Sequence, residues 1–210
     1  MHLPSQPSVT PNQGARYPLA LLGVYSIWWL ILAIHPEYPK DWLLENLLVF
    51  VALGLLIWFY RKLRFSNFSY TMVFIFLCIH AIGAHFTYSE VPYREWLGLP
   101  LDGRNHFDRW VHFLYGFLLM PAFIELLAAR AEIRGIWRNL LPLALVMAQS
   151  ALYELIEWLA AEIFGGPLGQ AYLGTQGDVW DAQKDSALAA TGAICGLVIY
   201  RIHERMRNAT

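Results

Sequence analysis

The placement of charge along the chain limits its fold more than any other feature. Six stretches are predominantly apolar: Tyr17–Ile34, Trp42–Tyr60, Phe68–Thr87, Phe107–Ala128, Asn139–Phe164 and Asp185–Ile202. A helix needs roughly 20 such residues to cross a hydrocarbon core of about 30 Å. The first stretch has no charge, the second only Glu45, and the third only the uncharged imidazoles of His80 and His85. Short connections separate the stretches. The expected fold is an all-α integral membrane protein, six transmembrane helices in one bundle. Composition agrees, since 57% of the 210 residues are hydrophobic and 15% charged. So few charges cannot solvate a water-facing globule of this size. Disorder, a coiled coil and a basic nucleic-acid binder are excluded on the same grounds.

Loop charges set the orientation. Arg16, Arg61, Lys62, Arg64, Arg130, Arg134, Arg138, Arg201, Arg205 and Arg207 fall on one side, and Lys40, Arg94, Arg104, Arg109 and Lys184 on the other. The richer side is expected to be cytoplasmic, with both termini there, in a bacterial-type inner membrane. The net charge of -1 then divides into about +7 inside and -8 outside. Residues 1–16, with Pro4, Pro7 and Pro11, read as a disordered cytoplasmic leader without a cleavable signal. Residues 17–202 form the membrane domain and 203–210 a short basic tail. Cys78 and Cys195 lie in apolar runs and read as packing residues. Pro121 and Pro142 fall where a membrane helix tolerates them. Ala189, Gly192 and Gly196 give the last span a small-residue face for close helix packing.

Ionisable groups are expensive inside a membrane, about 2.5–3.5 kcal/mol each on insertion scales. Here they gather on the outer halves of spans three to six. Asp108 and His112 are four apart on one helix face, continued by Gly116. Glu154 and Glu157 are three apart near the middle of the fifth span, beside Tyr153. Asp178, Asp181 and Asp185 make a stripe that runs down into the Ala189–Gly192–Gly196 face, with Asp178 suited to a helix cap. His85 ends the third span.

Asp108, Glu154, Glu157, Asp181 and Asp185 left unpaired would cost on the order of 12–15 kcal/mol. The cluster therefore reads as hydrated, partly protonated or occupied by a cation. Carboxylates with a histidine suit Mg, Mn, Zn or iron. His112, Glu154, Asp181 and Asp185 are the expected metal ligands, with Glu157 or Asp108 as general base. Arg104, Arg109, His106 and Gln176 are the expected substrate contacts, and His85, Asp178 and Tyr153 accessory groups. The chemistry that fits is hydrolysis or group transfer on a lipid or lipid-linked substrate. Two other classes stand beside it. One is a proton- or cation-coupled transporter, for which the inner halves offer few groups beyond Glu45 and Glu125. The other is a non-catalytic component with a polar packing network.

Three segments carry a family likeness: Arg104–Phe117, Tyr153-Glu154-x-x-Glu157-Trp158, and Gly174-Thr175-Gln176-Gly177-Asp178-x-Trp180-Asp181-x-Gln183-x-Asp185. Together they resemble the YjdF-type inner-membrane family, over nearly all the chain after the leader. The resemblance implies a topology rather than an activity. The last three spans also resemble VanZ-like membrane proteins, associated with glycopeptide resistance. Asp108-x-x-x-His112-Phe113, Glu154-x-x-Glu157 and Asp185 followed by Gly192 carry that likeness. Arg109, Glu157 and Ala189 stand where those proteins have Lys, Gln and Asn.

Overall fold

The computed structural model describes residues 14–164, 166, 169 and 173–209, the last three of these by backbone alone. Nearly all of the expected leader lies outside the described residues. All regular elements described are helical: α1 (Arg16–Leu32), α2 (Pro39–Phe59), α3 (Asn67–Phe86), a 3-10 turn (Tyr88–Glu90), α4 (Tyr93–Trp96), α5 (Phe107–Arg130), α6 (Trp137–Phe164) and α7 (Asp181–Ala209). Five of them, α2, α3, α5, α6 and α7, are long and apolar enough to cross a membrane, while α1 has 17 apolar-rich residues. Large aliphatic and aromatic side chains cover the outside, among them Leu30, Leu47, Leu55 and Ile163. Such a surface suits a lipid solvent.

Two packing centres build the bundle. Tyr25, Val49 and Ala81 bring α1, α2 and α3 together. Trp29 Nε1 donates to Asn46 Oδ1 at 2.6 Å, and Trp28 Nε1 to the Cys78 carbonyl at 3.1 Å. Met120, Phe123, Ile124, Val146, Ala193 and Leu197 join α5, α6 and α7. Helix α3 packs against both α1 and α5 and so links the halves. Both cysteines are free.

The tightest contact is the seam between α5 and α7. A Cβ on Gly116 would lie 1.9 Å from the Ala189 carbonyl oxygen, and one on Gly192 2.0 Å from that of Phe113. Only glycine allows backbones this close, as expected for a small-residue membrane seam. The seam also fixes register. Each helix carries its polar residues one to two turns above it, so Asp108 and His112 of α5 are brought opposite Asp185 of α7.

At the lower end a carboxylate performs a capping task. Glu125 of α5 accepts from Ser66 N (2.7 Å), Ser66 Oγ (2.6 Å) and Ser69 Oγ (2.8 Å) at the start of α3. Hydrogen bonds to charged groups contribute about 1.5–3 kcal/mol. Glu125→Ala is expected to lower unfolding stability in mixed detergent micelles by about 2–3 kcal/mol, and Glu125→Gln by less. An equal loss in both variants would show that charge matters and the bonds do not.

The largest departures from the expected boundaries fall at the two ends of the last span. Helix α7 begins at Asp181 rather than Asp185, and it continues to Ala209 rather than ending at Ile202. Hydropathy marks only the apolar middle of a helix, whereas backbone hydrogen bonding extends into its polar ends. Residues 203–209 are therefore helical. Asp178 does not sit at the cap position of α7. Its Oδ1 accepts from Trp180 N at 3.1 Å, closing a turn three residues before the helix.

Candidate metal and substrate site

The upper end of the bundle holds the clustered acids. Helix α5 starts at Phe107, whose N–H donates to Asn105 Oδ1 at 3.0 Å. Asp108 then lies in the first turn, where the helix dipole favours negative charge. His112 follows one turn later and is buried. Its Nε2 is 3.5 Å from Asp108 Oδ1 and 3.7 Å from Glu154 Oε1 of α6. Asp108, His112 and Asp185 each offer a ligand atom, all within 4.8 Å of one another. Asp185 is 2% exposed, and its Oδ1 has no hydrogen-bond partner. The Oε1 of Glu154 is likewise buried without a hydrogen bond. A buried carboxylate oxygen with nothing to bind costs free energy unless a proton or cation completes it.

Glu157 is also buried, within electrostatic range of Asp108, Glu154 and Glu45. Tyr153 joins the two parts. Its ring stands edge-on to His112 at 5.8 Å, and its hydroxyl donates to Glu45 Oε2 at 3.1 Å. Glu45 is thus part of the same upper group, and the expectation of an inner-half residue is corrected. It was missed as a site residue because α2 contributes it alone, with no motif around it. Asp41, one turn earlier on α2, is buried with it.

Asp181 has different partners from those expected of a ligand. Its Oδ1 takes Arg104 Nη2 at 2.5 Å and Arg109 Nη2 at 3.2 Å. Arg109 also pairs with Asp178 Oδ2 at 2.5 Å, which Lys184 Nζ reaches at 2.6 Å. The rim above the acids is therefore an ion-pair lattice of Arg104, Arg109 and Lys184 with Asp178 and Asp181. One positive charge is left over by formal count. Arg104 also donates to the Thr175 carbonyl and ties the last loop down.

Two expected site residues, Gln176 and His85, bond within the scaffold, and His80 does so beside them. Gln176 exchanges hydrogen bonds with the Asn105 backbone, both at 2.9 Å, and staples two loops. His85 Nδ1 meets the Leu32 carbonyl at 2.7 Å, which anchors α3 to the end of α1. His80 bonds the Tyr88 hydroxyl below the 3-10 turn. His106, just before α5, stands at the rim, where burial and the nearby Arg109 and Arg104 push its imidazole below its usual value.

Lys184, the Trp180 N–H and Arg109 hold the Asp178 carboxyl well below the usual carboxylate range. Its folded-state pKa is depressed. Its contribution is therefore complete above the unfolded value of about 3.9 and is lost as pH falls through the folded one. Unfolding curves from pH 5 down to pH 2 should show wild type losing more stability than Asp178→Asn. Parallel curves would mean that the rim pairs contribute nothing.

Residues 17–205 match the model of a family described as predicted membrane protein (DUF2238). The chain belongs to this family. It is 37% identical over 197 residues to the inner membrane protein YjdF of Escherichia coli (strain K12), covering 89% of this chain and 88% of that protein. No solved structure matches. The DUF2238 membership makes this a multi-pass membrane protein, in line with its apolar helices and with an inner-membrane relative.

Proposed function

We propose that this DUF2238 protein is a divalent-metal-dependent, membrane-embedded hydrolase or transferase that acts on a lipid or lipid-linked substrate. The convergence of Asp108, His112 and Asp185 within 4.8 Å, beneath a basic rim, carries the reading. One imidazole and two carboxylates suit Mn, Zn or iron, and Mg through its waters. Glu154, 3.7 Å from His112, completes the ligand set. Asp108 thereby moves from base to ligand, and Asp181 from ligand to arginine anchor. Glu157 is the general base that would take a proton from the attacking water, with the Tyr153 and Glu45 pair behind it. The metal would polarise the substrate and lower the pKa of a bound water. Arg104, Arg109 and Lys184, with His106 beside them, would hold the anionic group of the substrate.

The same reading takes α1 as a sixth span. It places both termini in the cytoplasm, by the excess of arginine and lysine at the lower end. The site then opens to the outer face of the inner membrane. The carrier alternative is weaker, because Glu125 caps α3 and Glu45 belongs to the upper cluster. No acidic path to the lower end is then left to those two residues.

Elemental analysis of protein purified in mild detergent tests the proposal, paired with incubation in total lipid extract with and without chelator. About one bound divalent ion per chain is expected, with less in Glu154→Gln, and a chelator-sensitive lipid product. Metal-free protein that forms no product on addition of Mn or Zn would contradict it.

A further inference from the structure

An apolar cavity of about 300 Å³ lies between α1, α2 and α3, far from the acidic cluster. It begins at the lower end between Ala15, Tyr60 and Tyr70, and reaches Tyr25, Leu53 and Leu77. Ala15 to Tyr25 is ten residues of chain, about 15 Å of helix. Its walls are almost wholly aliphatic and aromatic. A void of this kind in a lipid-facing bundle is suited to hydrocarbon, not water.

Charge at its mouth narrows the occupant. Arg16 follows Ala15 in the chain, and Arg61 and Lys62 follow Tyr60. The Arg64 guanidinium lies over the Tyr60 ring, 5.3 Å from its centroid. All four cations are exposed, and none forms an ion pair among the described residues. The nearby carboxylate of Glu125 is already bound by Ser66 and Ser69. Tyr17, Tyr60 and Tyr70 lie at the same level, as amphipathic rings do at a membrane interface. Basic pockets between membrane helices bind anionic headgroups.

We propose that this cavity holds one acyl chain of an anionic diacyl phospholipid, with its phosphate among Arg16, Arg61, Lys62 and Arg64. The lipid bridges α1 to α2 and α3 where direct packing is incomplete. It is a structural ligand of the lower end, separate from any substrate of the upper site.

Native mass spectrometry tests this on the full chain in detergent, with equimolar phosphatidylglycerol and phosphatidylcholine of matched acyl chains. One retained phosphatidylglycerol is expected, favoured over phosphatidylcholine by about tenfold or more, since each basic residue near an anionic surface adds about 1 kcal/mol. The surface triple variant Arg61→Gln, Lys62→Gln, Arg64→Gln should lose the preference. Val73→Trp, which fills the cavity, should lose the adduct. Equal retention of the two lipids by wild type would overturn the proposal, as would a triple variant that still prefers phosphatidylglycerol. Loss of the adduct in Asp185→Asn would place the lipid at the upper site and overturn it as well.

Discussion

Replacing Gly192 by valine lowers the stability of the bundle by more than about 4 kcal/mol, a size seen only for a few drastic mechanisms. The first atom added, Cβ, already falls 2.0 Å from the Phe113 carbonyl oxygen. Backbone cannot rotate away as a side chain can, so α5 and α7 must separate. Ordinary overpacking costs about 1–3 kcal/mol because side chains yield. Here the separation also removes contacts along Ala189, Ala193 and Leu197. Gly116→Val has the same expected result, with its Cβ 1.9 Å from Ala189 O. Gly54→Ala is the control, because nothing lies within 4 Å of its added Cβ. In mid-helix it should stabilise by about 0.5–1 kcal/mol. Unfolding in mixed micelles, followed by circular dichroism, measures all three. Similar stabilities for Gly192→Val and wild type would show that the seam is not as close as described.

The second large effect separates a ligand site from a packing network. Asp185→Asn removes a buried carboxylate with an orphaned oxygen. In chelator, the variant should be more stable than wild type by about 1–3 kcal/mol, because a buried carboxylate oxygen without a hydrogen bond is gone. In the presence of Mn the order should reverse, since wild type gains a ligand and the variant does not. A polar packing network predicts the opposite in chelator. There Asp185→Asn would break a hydrogen bond and destabilise, with no response to metal. Asp181→Asn is the internal comparison. It unpairs Arg104 and leaves Arg109 with Asp178 alone, so it should destabilise under both conditions.

Much of this arrangement is legible in the sequence because it is written in helical periodicity. Asp108, His112 and Gly116 lie on one face, as do Asp181, Asp185 and Ala189, and the seam joins those two faces. What periodicity does not carry is contact between distant helices. Glu45 meets Tyr153 across 108 positions, and α2 gives no local sign of it. The pairing of Arg104 with Asp181 spans 77 positions and depends on how two loops lie over the bundle. Loop conformation was the other blind spot. Gln176 is a polar side chain in a glycine-rich loop, which suggests a substrate contact. It adopts φ 48° and turns back onto Asn105 instead. Polar helix ends escaped for a third reason. A hydropathy scan for spans stops where the apolar residues stop, although α7 continues to Ala209.

Manganese titration into metal-stripped protein tests the proposed divalent ion at Asp108, His112 and Asp185 most directly. A ligand that binds only the folded state stabilises it by about 2.7 kcal/mol at 100 times its Kd. For a chain of this size that raises the unfolding midpoint by on the order of 5–10 °C. The predicted result is a saturable rise with one ion bound per chain, absent in Asp185→Asn and in His112→Ala. A midpoint unmoved by Mn or Zn, or moved equally in both variants, would contradict it.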